Sequence, residues 1–208
     1  MNVSRRGFLA TTGGALLSAS LRNAHFAHAR QRDESPGAID GHPVARTVGL
    51  KVLATGGNAV DAAVAAAFTA AVVAPYQCGI GGYGGHLTMA TAGGKVSVID
   101  FNTEASAAAR ADMFASGAGG SVRGEVNEYG WLASGVPGTL AGLQLALDRF
   151  GSRSLDELLQ PAIEYAEKGF VVDKWFATVI RRAVTKLSRD PASAQLYLPN
   201  GKPLAEGA

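Results

Sequence analysis

The segment of the chain that could most readily bind a ligand is glycine-rich and reads GIGGYGGH at positions 79–86. It contains a G-x-G-x-x-G pattern at Gly79, Gly81 and Gly84. Such a pattern holds the pyrophosphate of a dinucleotide when it follows a strand and opens a helix, because the N–H groups and the dipole of the helix N-terminus attract phosphates. Asp100 lies at about the distance downstream where a ribose-binding acid would stand. A nucleotide site is therefore one hypothesis for this segment.

The flanking sequence argues against a nucleotide site. An apolar helical pattern ended by Pro75 precedes the glycines, and two alternating segments, HLTMAT and KVSVIDF, follow them. A turn at Gly93-Gly94 separates these segments, so they predict a β-hairpin. This order is the reverse of the dinucleotide fingerprint. Glycine also allows positive φ and lets another backbone approach closely, and we expect that geometric role here.

The remaining reactive side chains form no recognisable site in the sequence. Cys78 could act as a nucleophile only with a base and an orienting group, and His42 and His86 are the available histidines after the N-terminal segment. We expect His86, at the start of a strand, to be a hydrogen-bonded structural residue. Two histidines without metal-ligand spacing predict no metal site, and no sequence feature calls for a cofactor.

Helical patterns flank this region and must position it. Periodicity over 44–55 predicts a first helix, and the all-apolar segment 59–74, with Asn58 as its N-cap and Asp61 in its first turn, predicts a second. A helix with no polar face must be surrounded by protein, so the second helix should belong to a buried layer. It is a weak candidate for crossing a bilayer about 30 Å thick.

The later helices are predicted from the residues at which they begin and end. A Gly-Val-Pro-Gly turn leads into a periodic apolar segment that ends at Gly151, and a capping box at 154–157 begins a helix that runs through Lys168. Residues 174–187 are amphipathic. Beyond Ser188 the sequence contains Pro191, Pro199, Gly201 and Pro203, and we predict loop structure there.

Composition limits the class of protein. The chain has 208 residues, of which 47% are hydrophobic and 17% charged, as in a globular domain able to bury a sizeable core. A formal net charge of +2 argues against a nucleic-acid partner. The 27 glycines cluster locally, so they indicate particular turns rather than general disorder.

The N-terminus predicts export. Residues 1–29 resemble a bacterial twin-arginine signal peptide, because a pair of arginines, a short apolar run and an Ala-x-Ala site ending at Ala29 occur in that order. The apolar run is too short for a permanent membrane anchor. We therefore expect a periplasmic or secreted protein, with a flexible lead-in over 30–40 and a folded domain over 41–208.

Several segments in collinear order resemble the gamma-glutamyltransferase (gamma-glutamyltranspeptidase) family, namely GGNAVDAAVAAAF (56–68), GIGGYGGH (79–86), IDF (99–101), DMF (112–114), ASGVPGTLAG (133–142) and LLQPAIEYAEKGFVV (158–172). The resemblance implies an α/β fold of the α+β type, the four-layer α-β-β-α sandwich of an N-terminal-nucleophile hydrolase. This chain would hold an incomplete portion of it, the N-terminal part of the large subunit. In the family a precursor cuts itself, and the freed Thr attacks a gamma-glutamyl amide such as glutathione.

The resemblance implies that no catalytic residue lies in this chain. The family's nucleophilic Thr, and the glycine pair that accepts the oxyanion, fall beyond Ala208. An N-terminal Thr uses its own α-amine to activate its hydroxyl, and no other residue supplies that pairing. We expect the chain alone to be inactive, to need the missing C-terminal part or small subunit as a partner, and to aggregate through uncovered apolar faces without it.

The sequence also departs from the family pattern at a position that binds substrate. Glutathione-cleaving members place an Arg shortly after the IDF-like strand, where its fork of donors binds the substrate α-carboxylate. Here no Arg occurs between Ala90 and Ala109, and the position falls on Asn102 or Glu104, depending on the alignment. A Glu there would repel the carboxylate, unless Glu104 is simply solvated.

Three functional hypotheses remain within this resemblance. The chain is part of a gamma-glutamyl amide hydrolase or transferase, part of a related acylase with a non-glutamyl substrate, such as the cephalosporin acylases, or a non-catalytic remnant or binding module of the same fold.

Overall fold

The computed structural model describes residues 37–81, 84–117 and 119–208. Over these ranges the chain forms six α-helices and one two-stranded antiparallel sheet, together with three short 3₁₀ turns. The signal-peptide prediction for 1–29 and the first part of the lead-in lie outside the described residues. The elements, in chain order, are α1 Pro43–Ala54, α2 Ala59–Val73, β1 His86–Ala90, β2 Val96–Asp100, α3 Thr139–Phe150, α4 Leu155–Lys168, α5 Lys174–Leu187 and α6 Pro191–Tyr197.

The junction between α1 and α2 forms as its sequence predicts. Gly56, just beyond α1, has φ +89, a conformation that glycine adopts at little cost. The Asn58 side chain accepts hydrogen bonds from the N–H groups of Val60 and Asp61, at 2.8 and 3.1 Å. In return the Asp61 carboxylate accepts from the Asn58 N–H at 2.8 Å, which completes a capping box.

Asp61 also joins distant parts of the chain, and the sequence analysis did not predict this. Its side chain is fully buried, and its Oδ1 accepts hydrogen bonds from the backbone N–H groups of Ser152 at 2.8 Å and Arg153 at 3.2 Å. The Ser152 hydroxyl donates to Oδ2 at 2.5 Å. Burial by itself raises the pKa of Asp61, but the hydrogen bonds from Ser152, Asn58 and Arg153 together outweigh it and lower the pKa.

The main hydrophobic core surrounds one face of α2. Phe68, Val64 and Ala65 of α2 are inaccessible to solvent, and α1, α3 and α4 pack against the helix. The opposite face, which includes Ala67 and Ala70, is only half-buried over the described residues. The prediction that α2 is buried on all sides is therefore confirmed for one face only, over the described residues. None of the helices in the described ranges combines the length and apolarity that a membrane span needs.

The predicted hairpin is present between residues 86 and 100. His86 pairs with Asp100, and Ala90 pairs with Val96, in an antiparallel register. On one face Ile99 is buried and its cross-strand partner Leu87 is half-buried. The other face is open, with His86, Asp100, Val96 and Val98 all exposed.

A second cluster forms around Phe176 of α5, whose ring lies 4.9 Å from that of Tyr76 and 6.1 Å from that of Tyr197, measured between centroids. The prediction of loop structure beyond Ser188 is wrong, because α6 occupies part of it. Pro191 stands in the first turn of α6, where its missing N–H costs nothing, and the Asp190 side chain caps the helix by accepting from the Ser193 N–H at 2.8 Å.

Candidate functional site

The glycine-rich segment leads from α2 into β1. A helix precedes it, and after Gly84 the chain enters an antiparallel strand at His86. A dinucleotide site needs the opposite order, with a helix N-terminus after the glycines to hold the pyrophosphate. The structure therefore contradicts the nucleotide-binding hypothesis and agrees with the hairpin that the sequence predicts.

Gly84 has the geometric role that the sequence predicts for this segment. Its φ is +79, and a Cβ added there would overlap the Phe101 carbonyl and lie 2.7 Å from the Asn102 Cα. Gly79 and Gly81 have open space at the same position. The Phe101 N–H donates to the Gly85 carbonyl at 2.9 Å, so the backbone of the segment runs directly beside residues that follow β2.

Glycines near the start of α3 approach the same backbone from another side. A Cβ on Gly138 would overlap the Phe101 carbonyl, and one on Gly142 would overlap the Phe101 ring. A Cβ on Gly135 would overlap the Thr103 side chain and lie 2.9 Å from the Glu104 carbonyl. Residues 101–104, which include the two predicted binding residues Asn102 and Glu104, thus lie among glycines whose missing side chains leave room for them.

Asn102 lies at the exposed end of β2 and is held by its neighbours. Its Nδ2 is 2.9 Å from His86 Nε2, and its backbone N–H donates to Asp100 Oδ1 at 3.0 Å. The same Asp100 oxygen lies 3.3 Å from His86 Nε2. His86, expected to be a hydrogen-bonded residue, thus contacts one of the two residues proposed for substrate binding.

A cavity of about 500 Å³ adjoins this group of side chains. His86 and Phe101 line it on one side, and the half-buried face of α2 lines it on the other. The remaining lining comes mainly from the glycine-rich segment, the residues just after α2 and the start of α3, namely Pro75, Tyr76, Gln77, Cys78, Gly79, Gly81, Gly84, Gly85, Thr139 and Leu143. A ligand in this cavity would lie beside His86.

Glu104 belongs to a different cavity. Its backbone pairs with Val136, donating at 3.3 Å and accepting at 2.8 Å. Glu104 lines a space of about 440 Å³ together with Trp131, Met113 and Phe114. Of the two candidates for the position of the family Arg, Glu104 therefore lines this separate cavity, whereas Asn102 contacts His86, which lines the cavity at the glycine-rich segment.

Cys78 lines the same cavity as His86, but its surroundings do not suit a nucleophile. Burial raises the pKa of the Cys78 thiol, which favours the unreactive protonated form. The thiol donates to the Ala74 carbonyl at 3.6 Å. Among the hydrogen bonds of the described residues, none joins Cys78 to His86, whose ring faces Asn102 and Asp100.

Metal-ligating residues are not gathered anywhere in the described part of the chain. Within 37–81, 84–117 and 119–208, no three His, Cys, Asp or Glu side chains are placed to hold one ion.

The structure is similar to solved gamma-glutamyltranspeptidases, so its helices and antiparallel hairpin form a portion of an N-terminal-nucleophile hydrolase fold, as predicted. Residues 45–208 match the family model described as Gamma-glutamyltranspeptidase. The chain belongs to this family, which confirms the resemblance that its sequence carries.

Known relatives agree with this assignment. The chain is 43% identical over 166 residues to the glutathione hydrolase proenzyme of Bacillus subtilis (strain 168), a match that covers 80% of this chain and 28% of that protein. It is 41% identical over 174 residues to the acylase ACY 1 proenzyme of Pseudomonas sp. (strain V22), covering 81% of this chain and 31% of that protein. The chain thus spans about a third or less of these relatives.

Solved structures agree as well. The crystal structure of Helicobacter pylori gamma-glutamyltranspeptidase is similar with a TM-score of 0.76 and 37% identity, over 82% of this chain and 49% of that one. A cephalosporin acylase from Bacillus halodurans is similar with a TM-score of 0.66 and 26% identity, over 80% of this chain and 31% of that one.

The contact between Asn102 and His86 was missed by the sequence analysis, although a signal for it exists. A hairpin that turns near Gly93 brings residues 86 and 100 opposite each other. Asn102, two residues after the end of β2, can then reach back to the first residue of β1. Counting strand register from the turn would have found this pair.

Proposed function

We propose that the chain is part of an amide hydrolase or transferase that acts on gamma-glutamyl compounds such as glutathione. The observation that carries this proposal is the continuous match of residues 45–208 to the gamma-glutamyltranspeptidase family. The relatives are named proenzymes and are about three times longer than the matched region. We propose that the nucleophilic Thr comes from a part of the enzyme that the relatives have outside the match, and that the chain alone is inactive.

Substrate binding is proposed for Asn102, with Glu104 as the less favoured alternative. Asn102 contacts His86, which lines the cavity beside the glycine-rich segment, whereas Glu104 lines a separate space. Asn102 directly follows the IDF strand, and depending on the alignment it or Glu104 takes the position of the family Arg. An Asn offers a neutral amide in place of a guanidinium, so it would bind a carboxylate less strongly.

A related acylase with a non-glutamyl substrate is the second candidate function. The specific observation in its favour is the character of residues 96–109, which contain Asp100, Glu104 and no Lys or Arg. A carboxylate brought beside Asp100 would meet a like charge without a cation to compensate it. The relatives of this chain include an acylase proenzyme and a cephalosporin acylase. A non-catalytic remnant or binding module of the same fold is the third possibility.

Export to the periplasm or the medium is part of the proposal. It rests on the twin-arginine pair and the Ala-x-Ala site within residues 1–29. Fusing residues 1–29 to a reporter that is active only after export would test it, with Arg5→Lys plus Arg6→Lys as the matched control, which should retain the reporter in the cytoplasm.

Hydrolysis of chromogenic amides tests the function. The 208-residue chain is mixed with the remaining part of a relative, and release of p-nitroaniline is measured from gamma-glutamyl-p-nitroanilide and from butyryl-p-nitroanilide. Hydrolysis of either amide, absent for the chain alone, supports the amide hydrolase. Preference for the butyryl compound supports the acylase. Failure with both amides favours the remnant or binding module.

A further inference from the structure

We propose that His86 is a positioning residue for Asn102, whose side-chain amide it holds in one orientation for contact with an uncharged acyl group in the adjoining cavity. The substrate part of this inference rests on the proposed amide hydrolase function. Its ligand class is that of the second candidate function, the related acylase with a non-glutamyl substrate, and its test compares this class with the gamma-glutamyl one.

The direction of the hydrogen bond fixes the tautomer of the ring. With the Asn102 amide in this orientation its Nδ2 donates and His86 Nε2, 2.9 Å away, accepts, so the proton of the neutral ring lies on Nδ1. The Asp100 Oδ1, 3.3 Å from the same Nε2, finds no proton there. That oxygen accepts instead from the Asn102 backbone N–H at 3.0 Å.

Asn102 is consequently held at two points by the first residue of β1 and the last residue of β2. β1 supplies His86 to its side chain, and β2 supplies Asp100 to its backbone. The register places His86 and Asp100 directly opposite each other, so both partners are set by one pair of strands. An amide fixed in this way loses little further rotamer entropy when a ligand binds.

Part of the Asn102 amide is left for a ligand. Among the hydrogen bonds of the described residues, none uses its Oδ1, and one of its two Nδ2 hydrogens suffices for His86. The residue is exposed. A carbonyl and a second N–H that have no partner among the described residues suit a neutral polar group, which can donate and accept.

The charges around the amide disfavour an anion. Asp100 is the carboxylate within reach of His86, and residues 96–109 supply no Lys or Arg. From the segment after α2, Tyr76 and Cys78 line the same cavity, and burial raises the pKa of each, so both stay uncharged at neutral pH. An acyl group that ends in a carboxylate would therefore meet repulsion from Asp100, with no Lys or Arg from residues 96–109 to compensate it.

Nitrogen NMR tests the positioning. On the 208-residue chain labelled with ¹⁵N, in solution or as sedimented protein, we expect neutral His86 with its proton on Nδ1 and a coupling across the hydrogen bond between Asn102 Nδ2 and His86 Nε2. Asn102→Leu should abolish the coupling and the tautomer preference. The control Thr88→Val, on the same exposed hairpin face, should leave both unchanged. A proton on Nε2 in the wild-type chain would overturn the proposal.

A matched pair of small probes tests the ligand class. Butyramide and butyrate differ in a terminal amide against a carboxylate. We expect butyramide to shift the Asn102 side-chain signals with an affinity roughly tenfold higher than that of butyrate. His86→Leu should reduce the butyramide response, and His86→Gln, which keeps an acceptor, should restore much of it. Equal or stronger binding of butyrate, or no response to either probe, would overturn the ligand class.

These readouts separate the two proposals. If the tautomer and the butyramide preference are as expected while no p-nitroanilide is hydrolysed, the catalytic function fails and the role of His86 stands. If hydrolysis occurs while His86 carries its proton on Nε2, the positioning role fails and the amide hydrolase stands.

Discussion

The Cα of Gly142 on α3 lies against the ring of Phe101, so closely that a methyl group at position 142 would overlap the ring. A glycine inside a helix costs about 1 kcal/mol relative to alanine. Here that cost accompanies a close approach of α3 to the residue that follows β2, and Phe101 in turn begins the segment that contains Asn102. The packing of α3 against Phe101 therefore also determines where the candidate site lies.

Replacing Gly142 by alanine should destabilise the chain in spite of the better helix propensity of alanine. The overlap with the Phe101 ring is expected to cost about 1–3 kcal/mol in the free energy of unfolding. Urea denaturation followed by circular dichroism measures it. Gly93→Ala is the control, because a Cβ there has only the Thr91 hydroxyl, 3.9 Å away, nearby. If both variants unfold at the wild-type midpoint, the close approach of α3 to Phe101 is wrong.

Asp61→Asn should cost about 2–4 kcal/mol, because an amide nitrogen would face N–H and hydroxyl donors that now bind a carboxylate. The exposed Asp156, in the first turn of α4, is the matched control, and Asp156→Asn should change the free energy of unfolding by less than about 1 kcal/mol. Comparable losses for the two variants would contradict the central place of Asp61 between α2 and the loop before α4.

The stabilisation from Asp61 should depend on pH in a defined direction. Its pKa in the folded chain is below the ordinary value, so the stabilisation is fully present above the unfolded pKa of about 3.9. It is lost as the pH falls through the lower, folded pKa. The difference in stability between wild type and Asp61→Asn should therefore shrink below about pH 4 and stay constant from pH 5 to 7. A difference that grows on acidification would show the opposite linkage.

Exposed apolar side chains should make the isolated chain associate. Trp131 is 95% exposed, and Val96 and Val98 are 61% and 59% exposed on the open face of the hairpin. Such surfaces favour contact between copies. We expect sedimentation velocity to show mass rising with concentration, and Val98→Lys to reduce it. Thr88→Lys, which adds the same charge on the same face without removing an apolar group, should reduce it less. A monomer at all concentrations would contradict this expectation.

Much of the fold could be predicted because its signals are local. The N-cap at Asn58, the helix starting after Ser154 and the hairpin turn each depend on residues within one turn of structure. The error beyond Ser188 was also local: proline both ends helices and begins them, and Pro191 begins one behind the cap of Asp190.

The contacts between distant elements could not be predicted in the same way. Asp61 and Ser152 are far apart in sequence, and so are Gly142 and Phe101. Their meeting depends on how α2, α3 and β2 pack, which no local pattern specifies. The family resemblance indicated the segment at Asn102 and Glu104, but only the packing shows that Glu104 lines one cavity while Asn102 contacts His86, which lines another.

The most direct test of the account compares Gly84→Ala with Gly81→Ala. It asks whether the glycine-rich segment needs glycine so that its backbone can pack against the residues that follow β2. Gly84 has φ +79 and lies against residues 101–103, whereas a Cβ on Gly81 meets open space. We predict that Gly84→Ala lowers the free energy of unfolding by about 2 kcal/mol or more, and that Gly81→Ala changes it by less than about 0.5 kcal/mol. Equal losses in the two variants, or a larger loss at Gly81, would contradict the account.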